Sequence, residues 1–226
     1  MNILAIDTSS EYLSLALQSG SKQYHILEKV GNKQSEQILP QINNLLMQNN
    51  LKISDINLIA YNQGPGSFTG LRIGLSVAMG IALGLNINII PVPAFAIYAY
   101  NAKLKLNNVY DKILVAIDAR LNQIYFAGLD IQTMDYFLEP VVIDPGEVFY
   151  VENSILIGNG FKKYFELLPS EVKSLKYLDI EYPDAKNILN LVLNKKYLEL
   201  KAHDANLLYL RNKVALDLKE QQQLKI

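Results

Sequence analysis

The sequence contains no cysteine, and histidine occurs only twice, at His25 and His203. The absence of cysteine excludes disulfide bonds, thiolate nucleophiles and thiolate ligands for a metal ion. Protein zinc sites take three or four ligands, mostly cysteine and histidine, so two distant histidines nearly exclude that kind of site as well. We therefore expect no bound metal ion.

An excess of charge of one sign is also missing. The 21 Lys and Arg residues are balanced by 22 Asp and Glu residues, which leaves a net charge of −1. No overall basic field attracts nucleic acid, so we expect any RNA contact to be weak or shared with another protein. Half of the 226 residues are hydrophobic, enough to bury the core of one large or two small domains.

Long hydrophobic runs are scarce as well. The uncharged apolar stretch at residues 73–85 has 13 residues, fewer than the roughly 20 that span a membrane. Arg72 at its start makes insertion still less favourable. The chain opens on a strand-like segment with no basic or apolar leader before it. We expect a soluble, cytoplasmic protein that does not enter a membrane.

Among the features that are present, residues 63–74 (QGPGSFTGLRIG) are the most informative. They follow an apolar, strand-like run and open a helix-like one, so they predict a tight turn from strand to helix. Ser67 or Thr69 can cap that helix. Two interpretations are open for the backbone N–H groups at the start of this helix. Geometry alone favours a plain capped turn, and the alternative is a binding site for an anion.

The predicted helix carries two rows of small residues, each with a spacing of four. The first row is Gly70, Gly74, Ala78 and Ala82, and the second is Ser76, Gly80 and Gly84. Glycine in a helix interior costs about 1 kcal/mol, so this many glycines require a reason. Small residues allow close approach of another backbone, and we expect one row to lie on a sheet and the other to meet a second helix.

The remainder of the first half predicts strands at residues 2–8, 12–17, 23–30, 56–61 and 87–91, and helices on either side of the last two. In the first of these helices the positions with the spacing of one buried face are Ile38, Ile42, Leu45 and Leu46. Asn32 and Ser35 are candidate caps for it. Pro40 should kink this helix or mark its regular start.

The same order of segments then begins again. Residues 112–118 (KILVAID) echo residues 1–7 (MNILAID), so that Asp118 stands 111 positions after Asp7, and two further strands repeat at a shift of 112. Three matches at nearly one shift favour an internal duplication. The competing interpretation is that any two meanders of short strands align this well.

A duplication of this kind predicts an α/β protein with two lobes, residues 1–108 and 109–226, each a mixed sheet flanked by helices. The last helix is expected to pack back on the first lobe. The hairpins after Asp7 and Asp118 should face each other across a cleft, near the GPGSFTG turn and the glycine turn at residues 158–161. Ligands favour clefts between lobes.

Five motifs, in order along the chain, resemble the bacterial TsaB (YeaZ) family. They are AIDTS at residues 5–9, SEQILP at 35–40, GPGSFTGLRIG at 64–74, AIDAR at 116–120 and YLR at 209–211. The resemblance extends over nearly the whole chain. It implies the duplicated actin-like ATPase fold, which is RNase H-like in each lobe.

The resemblance also implies a function. It is that of a non-catalytic subunit needed to make N6-threonylcarbamoyladenosine at position 37 of tRNAs that read codons beginning with A. The implied partners are the catalytic paralogue TsaD and the small ATPase TsaE, with tRNA bound through the complex and threonylcarbamoyl-adenylate supplied by another enzyme. A homodimer of the isolated protein is an alternative assembly. No cofactor is assigned, although the complex could hold ATP or ADP.

Several positions depart from the relatives. TsaD carries metal-binding histidines where this chain has Ala94 and Tyr98, which are not a plausible ligand pair. Family members often have histidine at the position of Gln34. Nucleotide-binding relatives usually have glycine where Thr8 or Ser9 stands here.

The candidate site residues follow from the cleft and the resemblance together. Those for a nucleotide are Asp7, Thr8, Ser9, Asp118, Gly158 and Gly160. Those for a partner interface, on the two helices before and after the GPGSFTG turn, are Ser35, Ile38, Ile42, Gly70, Arg72, Gly74, Ala78 and Gly80. No catalytic residue and no metal ligand is assigned.

Two other functions compete with the partner subunit. A self-sufficient actin-like phosphotransferase would use Asp7 and Asp118 as carboxylates for a metal ion or as a base, although acids at strand ends more often form turns. A metallopeptidase is the weakest alternative, because the chain has no set of metal ligands for it.

Overall fold

The structure is a computed structural model that describes residues 1–106, 109–180, 182–194 and 197–211. These residues form ten strands and six α-helices, arranged as two five-stranded sheets with flanking helices. Residues 219–226, for which the sequence predicts fraying, lie outside the described residues.

The first sheet begins as a meander and continues with two parallel strands. Its strands are β1 (Asn2–Asp7), β2 (Tyr12–Ser19), β3 (Lys22–Lys29), β4 (Leu58–Gly64) and β5 (Asn88–Pro93). Their order is β3-β2-β1-β4-β5, with β2 antiparallel to β1 and β3, and β4 parallel to β1 and β5. The helices of this half are α1 (Gln34–Met47), α2 (Phe68–Leu85) and α3 (Ala94–Lys105).

The second sheet repeats this topology. Its strands are β6 (Lys112–Arg120), β7 (Gln123–Asp130), β8 (Tyr136–Ile143), β9 (Ser154–Ile157) and β10 (Tyr177–Leu178). Their order is β10-β9-β6-β7-β8, so each strand has the place of its counterpart in the first sheet. The helices here are α4 (Asn159–Lys163), α5 (Ser170–Lys173) and α6 (Ala185–Asn194). The predicted α/β class and duplicated two-lobe fold are confirmed.

The main hydrophobic core lies between the two sheets. Helix α3 packs there against β6, β7 and β9 of the second sheet as well as β4 and β5 of the first, and α6 packs against β1, β2 and β4. Seven of the twelve residues of α3 are buried, because strands and helices surround it. Helices α1 and α2 cover the opposite face of the first sheet, where a second core forms.

The ends of α1 and α2 are built differently. Ser67 caps α2 by accepting a hydrogen bond from the backbone N–H of Gly70 at 3.3 Å, as the sequence predicts. The predicted caps of α1 are wrong, because Lys33 occupies the N-cap position without a side-chain hydrogen bond. Pro40 lies inside α1 and does not mark its start.

Among the described helices, α2 alone is long and apolar enough to cross a membrane by length and composition, with a mean hydropathy of 1.6. In the structure it packs against β1, β4 and β5 and contacts α1. These contacts bury one face of α2 on the first sheet, which amounts to 28% of the helix.

Candidate functional site

A cleft of about 930 Å³ lies between the two lobes. Its walls are the β1–β2 hairpin, the turn before α2, the β6–β7 hairpin, the start of α4 and a C-terminal segment. Ser9 and Ser67 line it from the first lobe, Asp118 and Arg120 from the second, and Tyr209 and Arg211 from the C-terminal segment. The cleft expected between the two hairpins is therefore present, and its volume lies within the range of small-molecule sites.

Asp7, at the end of β1, lies behind the wall of the cleft and is 1% exposed. Its Oδ1 accepts hydrogen bonds from the backbone N–H and the hydroxyl of Ser9, both at 2.8 Å, and its Oδ2 accepts one from Asn62 at 2.7 Å. Burial raises the pKa of Asp7 to about 6, although these hydrogen bonds act in the opposite direction. The carboxyl group is thus enclosed by protein donors.

The turn before α2 is packed directly onto the β1–β2 hairpin. The backbone N–H of Ser67 donates to the carbonyl of Ser9 at 2.8 Å, and the hydroxyl of Thr8 donates to the carbonyl of Gly70 at 2.7 Å. A Cβ on Gly66 would lie 2.8 Å from that of Ser9, and one on Gly70 would overlap the carbonyl oxygen of Thr8. These glycines serve close packing of one loop on the other.

Asp118 occupies the corresponding place in the second lobe. Its carboxylate accepts hydrogen bonds from Lys163 at 2.7 Å and from the phenol of Tyr164 and the backbone of Arg120, both at 2.9 Å. Burial raises the pKa of Asp118, but the bond to Lys163 and the other donors outweigh it and hold the pKa below its usual value. The carboxylate is therefore ionised and already paired.

Gly158 and Gly160 are buried against β6. Gly158 has a φ of +99°, and a Cβ on it would overlap the carbonyl oxygen of Ala116, while one on Gly160 would lie 2.9 Å from the carbonyl carbon of Ala116. Both glycines are needed for backbone packing. Of the six residues predicted to bind a nucleotide, Ser9 and Asp118 line the cleft, whereas Gly158 and Gly160 join α4 to β6.

The residues predicted for a partner interface divide into two groups. Five of them, namely Ile38, Ile42, Gly70, Gly74 and Ala78, are buried within the chain. The prediction is corrected for these five, because a side chain in the core of its own lobe offers no surface to a partner. Ser35, Arg72 and Gly80 are exposed.

The outer face of α1 and α2 also exposes large apolar residues that the sequence analysis did not select. Leu39 and Met47 on α1 are 56% and 66% exposed, and Leu83 on α2 is 57% exposed. With Ser76, Gly80 and Gly84 they define what we call the α1–α2 face. A Cβ on Gly80 or Gly84 would have no neighbouring atom within 4 Å, so the second small-residue row is open to solvent in the single chain.

Sequence reasoning missed three residues that hold the site together. Asn62 joins Asp7 to Ser9, and Lys163 and Tyr164 hold Asp118. Asn62 could have been selected from the sequence, because it is a polar residue within a buried strand and stands two positions before the first glycine of the turn, Gly64. Lys163 and Tyr164 could not, since they meet Asp118 only through the tertiary fold.

Comparison with known proteins identifies relatives of this architecture. The chain matches the family model described as TsaD, tRNA N6-adenosine threonylcarbamoyltransferase, over residues 27–210. The tRNA threonylcarbamoyladenosine biosynthesis protein TsaB of Haemophilus influenzae is 30% identical over 95% of this chain and 95% of that protein. The protein of the same name from Escherichia coli is 30% identical over 95% of this chain and 96% of its own length.

Solved structures agree with the sequence comparison. A Pseudomonas aeruginosa protein described as having similarity to peptidase YEAZ superposes with a TM-score of 0.81 at 27% identity, covering 93% of this chain and 99% of that one. A structure of YeaZ from Pseudomonas aeruginosa gives a TM-score of 0.80 at 26% identity, covering 92% and 99%. Together with the repeated sheets, these matches show the two-lobe actin-like fold, and the chain belongs to the TsaB (YeaZ) family of tRNA threonylcarbamoyladenosine biosynthesis proteins.

Proposed function

We propose that this chain is a non-catalytic subunit required for threonylcarbamoyl transfer to N6 of adenosine 37 in tRNAs that read codons beginning with A. It acts as a partner and scaffold for the homologues of TsaD, which performs the transfer, and of TsaE. Membership of the TsaB family supports the pathway, because relatives named for threonylcarbamoyladenosine biosynthesis match this chain over nearly its whole length.

The observation that carries the scaffold role is the α1–α2 face. Leu39, Met47 and Leu83 are each more than half exposed there, and a Cβ added at Gly80 or Gly84 on the same face would meet no atom within 4 Å. Apolar side chains beside open glycines suit a second pair of helices that approaches closely. TsaD is proposed to supply that pair, and a homodimer would use the same face.

The interior of the lobes supports a role without catalysis. Ala94 and Tyr98 stand where the resemblance places the metal-binding histidines of TsaD, and both are buried in the core between the sheets, at 0% and 2% exposure. Within the described residues, no three side chains of His, Asp or Glu lie close enough together to hold a metal ion. Asp7 and Asp118 are occupied by protein donors.

Reconstitution of the transfer reaction tests the proposal. The homologous TsaD, TsaE, threonylcarbamoyl-adenylate and a tRNA that reads an A-starting codon are combined with and without this chain, and the modified nucleoside is measured by mass spectrometry. We expect the product only when TsaD and this chain are both present. Product formed by this chain without TsaD would contradict the non-catalytic role, and full activity of TsaD without this chain would contradict the requirement.

The α1–α2 face is tested by substitution. Leu83→Asp places a charge in the proposed contact and should abolish co-elution with TsaD in size-exclusion chromatography, because a buried unpaired charge costs several kcal/mol. The matched control is Leu167→Asp, which changes a leucine of similar exposure (54%) on the second lobe and should leave the complex intact. Co-elution of the Leu83→Asp variant with TsaD at the wild-type level would contradict the assignment of the α1–α2 face as the contact with TsaD.

A further inference from the structure

The C-terminal segment at residues 197–211 runs back over the first lobe and ends on the second. Near its start Leu200 pairs with Ile89 of β5 through two backbone hydrogen bonds of 2.9 and 3.0 Å. Leu207 packs with the core beneath α1 and α2, and Leu210 packs with the core between the sheets. The segment therefore crosses from one hydrophobic core to the other along the edge of the cleft.

Its middle part is held firmly to β4. The buried phenol of Tyr61 donates to the carbonyl of Asn206 at 2.6 Å and accepts from the backbone N–H of the same residue at 3.1 Å. Leu208 donates its backbone N–H to the carbonyl of Gln63 at 2.9 Å, and the side chain of Gln63 donates to that of Asn206 at 2.9 Å. Backbone bonds next to a buried strand fix this part of the segment on the first lobe.

The last described residues are held by side chains near the surface. Tyr209, which is 51% exposed, accepts a hydrogen bond at 3.3 Å from Arg72, whose guanidinium lies 3.7 Å from the ring centroid of Phe68. Arg211 then donates to the side-chain oxygen of Gln123, the first residue of β7, at 2.7 Å. This bond connects the segment to the hairpin that forms the opposite wall of the cleft.

We propose that residues 206–211 act as a strap across the interlobe cleft, and that the hydrogen bond between Arg211 and Gln123 is its releasable end. The hydrogen bonds at Tyr61 and Gln63 keep the strap on the first lobe, whereas among the described residues one side-chain hydrogen bond, from Arg211 to Gln123, joins it to the β6–β7 hairpin. Without that bond, the β6–β7 hairpin can move away from the β1–β2 hairpin at the mouth of the cleft, while the core shared by the two sheets stays packed. The strap thus sets how wide the cleft opens, in the manner of a hinge closure.

The distance between the two hairpins tests the strap directly. The chain has no cysteine, so Glu11→Cys and Leu121→Cys introduce the only two thiols, one on each hairpin at the cleft. Spin labels on both are measured by pulsed electron paramagnetic resonance in the full chain. Arg211→Ala and, separately, Gln123→Ala should each shift the distance distribution to longer values and broaden it, and the double variant should add nothing further, because both changes remove one contact.

The matched control is Lys201→Ala, which removes an exposed cation from the same segment at the part fixed on the first lobe. Lys201→Ala should leave the distance distribution the same as in the doubly labelled parent chain. All variants should have melting temperatures within a few degrees of that parent. An unchanged distribution in Arg211→Ala and Gln123→Ala would overturn the proposal. So would an equal shift in Lys201→Ala, since the effect would then not belong to the bond between Arg211 and Gln123.

Discussion

At the scale of single residues, the buried carboxyl of Asp7 makes the stability of the protein depend on pH. Burial raises its pKa from near 3.8 to about 6, so between these values the folded chain binds a proton more tightly than the unfolded chain. The free energy of unfolding should therefore fall through this group by about 3 kcal/mol over the whole titration, of which about 2 kcal/mol is lost as the pH rises from about 4 to about 6. Urea denaturation across this range measures the slope.

Asp7→Asn provides the comparison for that slope. The variant loses an acceptor facing the amide of Asn62 and should be less stable by about 1–3 kcal/mol at acidic pH, but its side chain does not titrate. In this variant, the decrease in the free energy of unfolding that we assign to Asp7 should be absent between pH 4 and 6. Equal slopes in the wild type and the variant would mean that another group causes the dependence.

A second carboxylate behaves in the opposite way. Asp184, beside α6, accepts hydrogen bonds from His25 of β3 and from the backbone of Lys186, both at 2.8 Å. Burial raises its pKa, but the bond from His25 outweighs this and the pKa is lowered overall. Asp184 therefore stabilises the fold above about pH 4, and this contribution is lost as the pH falls through its lowered pKa in the folded state.

Asp184→Asn should reduce the free energy of unfolding by about 1–3 kcal/mol at neutral pH, because it weakens a partly buried bond to His25. The exposed pair of His203 and Asp204, 3.5 Å apart, offers a matched control. Asp204→Asn should cost under about 0.5 kcal/mol, as exposed ion pairs contribute little. Equal losses in thermal melting would refute the structural role of the buried pair.

At the scale of elements, the two rows of small residues on α2 have different tasks. A Cβ on Gly74 would lie 2.5 Å from the hydroxyl of Thr8, whereas one on Gly80 would meet nothing within 4 Å. Gly74→Leu should therefore unfold the protein or destabilise it by several kcal/mol, since α2 cannot move away from β1 without losing its packing. Gly80→Leu should melt at or above the wild-type temperature, because leucine favours a helix by up to about 1 kcal/mol over glycine.

Binding distinguishes these variants further. Gly80→Leu should lose its association with TsaD in size-exclusion mixing while its fold remains intact, because the added side chain fills the space proposed for the partner helix. Gly80→Ala, which adds one carbon, serves as the milder control and should retain part of the binding. A Gly80→Leu variant that binds TsaD normally would show that this row serves no interface.

At the scale of the whole molecule, the two lobes share one core. Helix α3 comes from the first half and α6 from the second, and both pack between the sheets. We expect a fragment of residues 1–108 to aggregate or to lack a cooperative thermal transition, because α3 would expose its apolar surface. The full chain should melt in a single transition by calorimetry. A fragment that melts cooperatively as a monomer would contradict this dependence.

The local pattern of the sequence determined much of this protein. The alternating strands, the buried face of α1, the Ser67 cap and the repeated order of segments all rest on neighbours within a few positions, where spacing alone carries the information. The resemblance to the TsaB family rested likewise on short motifs. Only the tertiary structure decided which small-residue row of α2 faces the sheet, since both rows have the same spacing and the choice depends on where the end of β1 lies.

The tertiary structure also decided how the candidate site is built. The pairing of Lys163 with Asp118, the packing of Gly158 on Ala116 and the path of residues 206–211 across the cleft join residues that are far apart in the chain. Sequence periodicity does not predict such contacts, because they form only when the folded chain places distant segments next to each other. The sequence thus determined the elements and the family by itself, whereas the folded arrangement decided which of the predicted site residues are buried and which remain exposed to a partner.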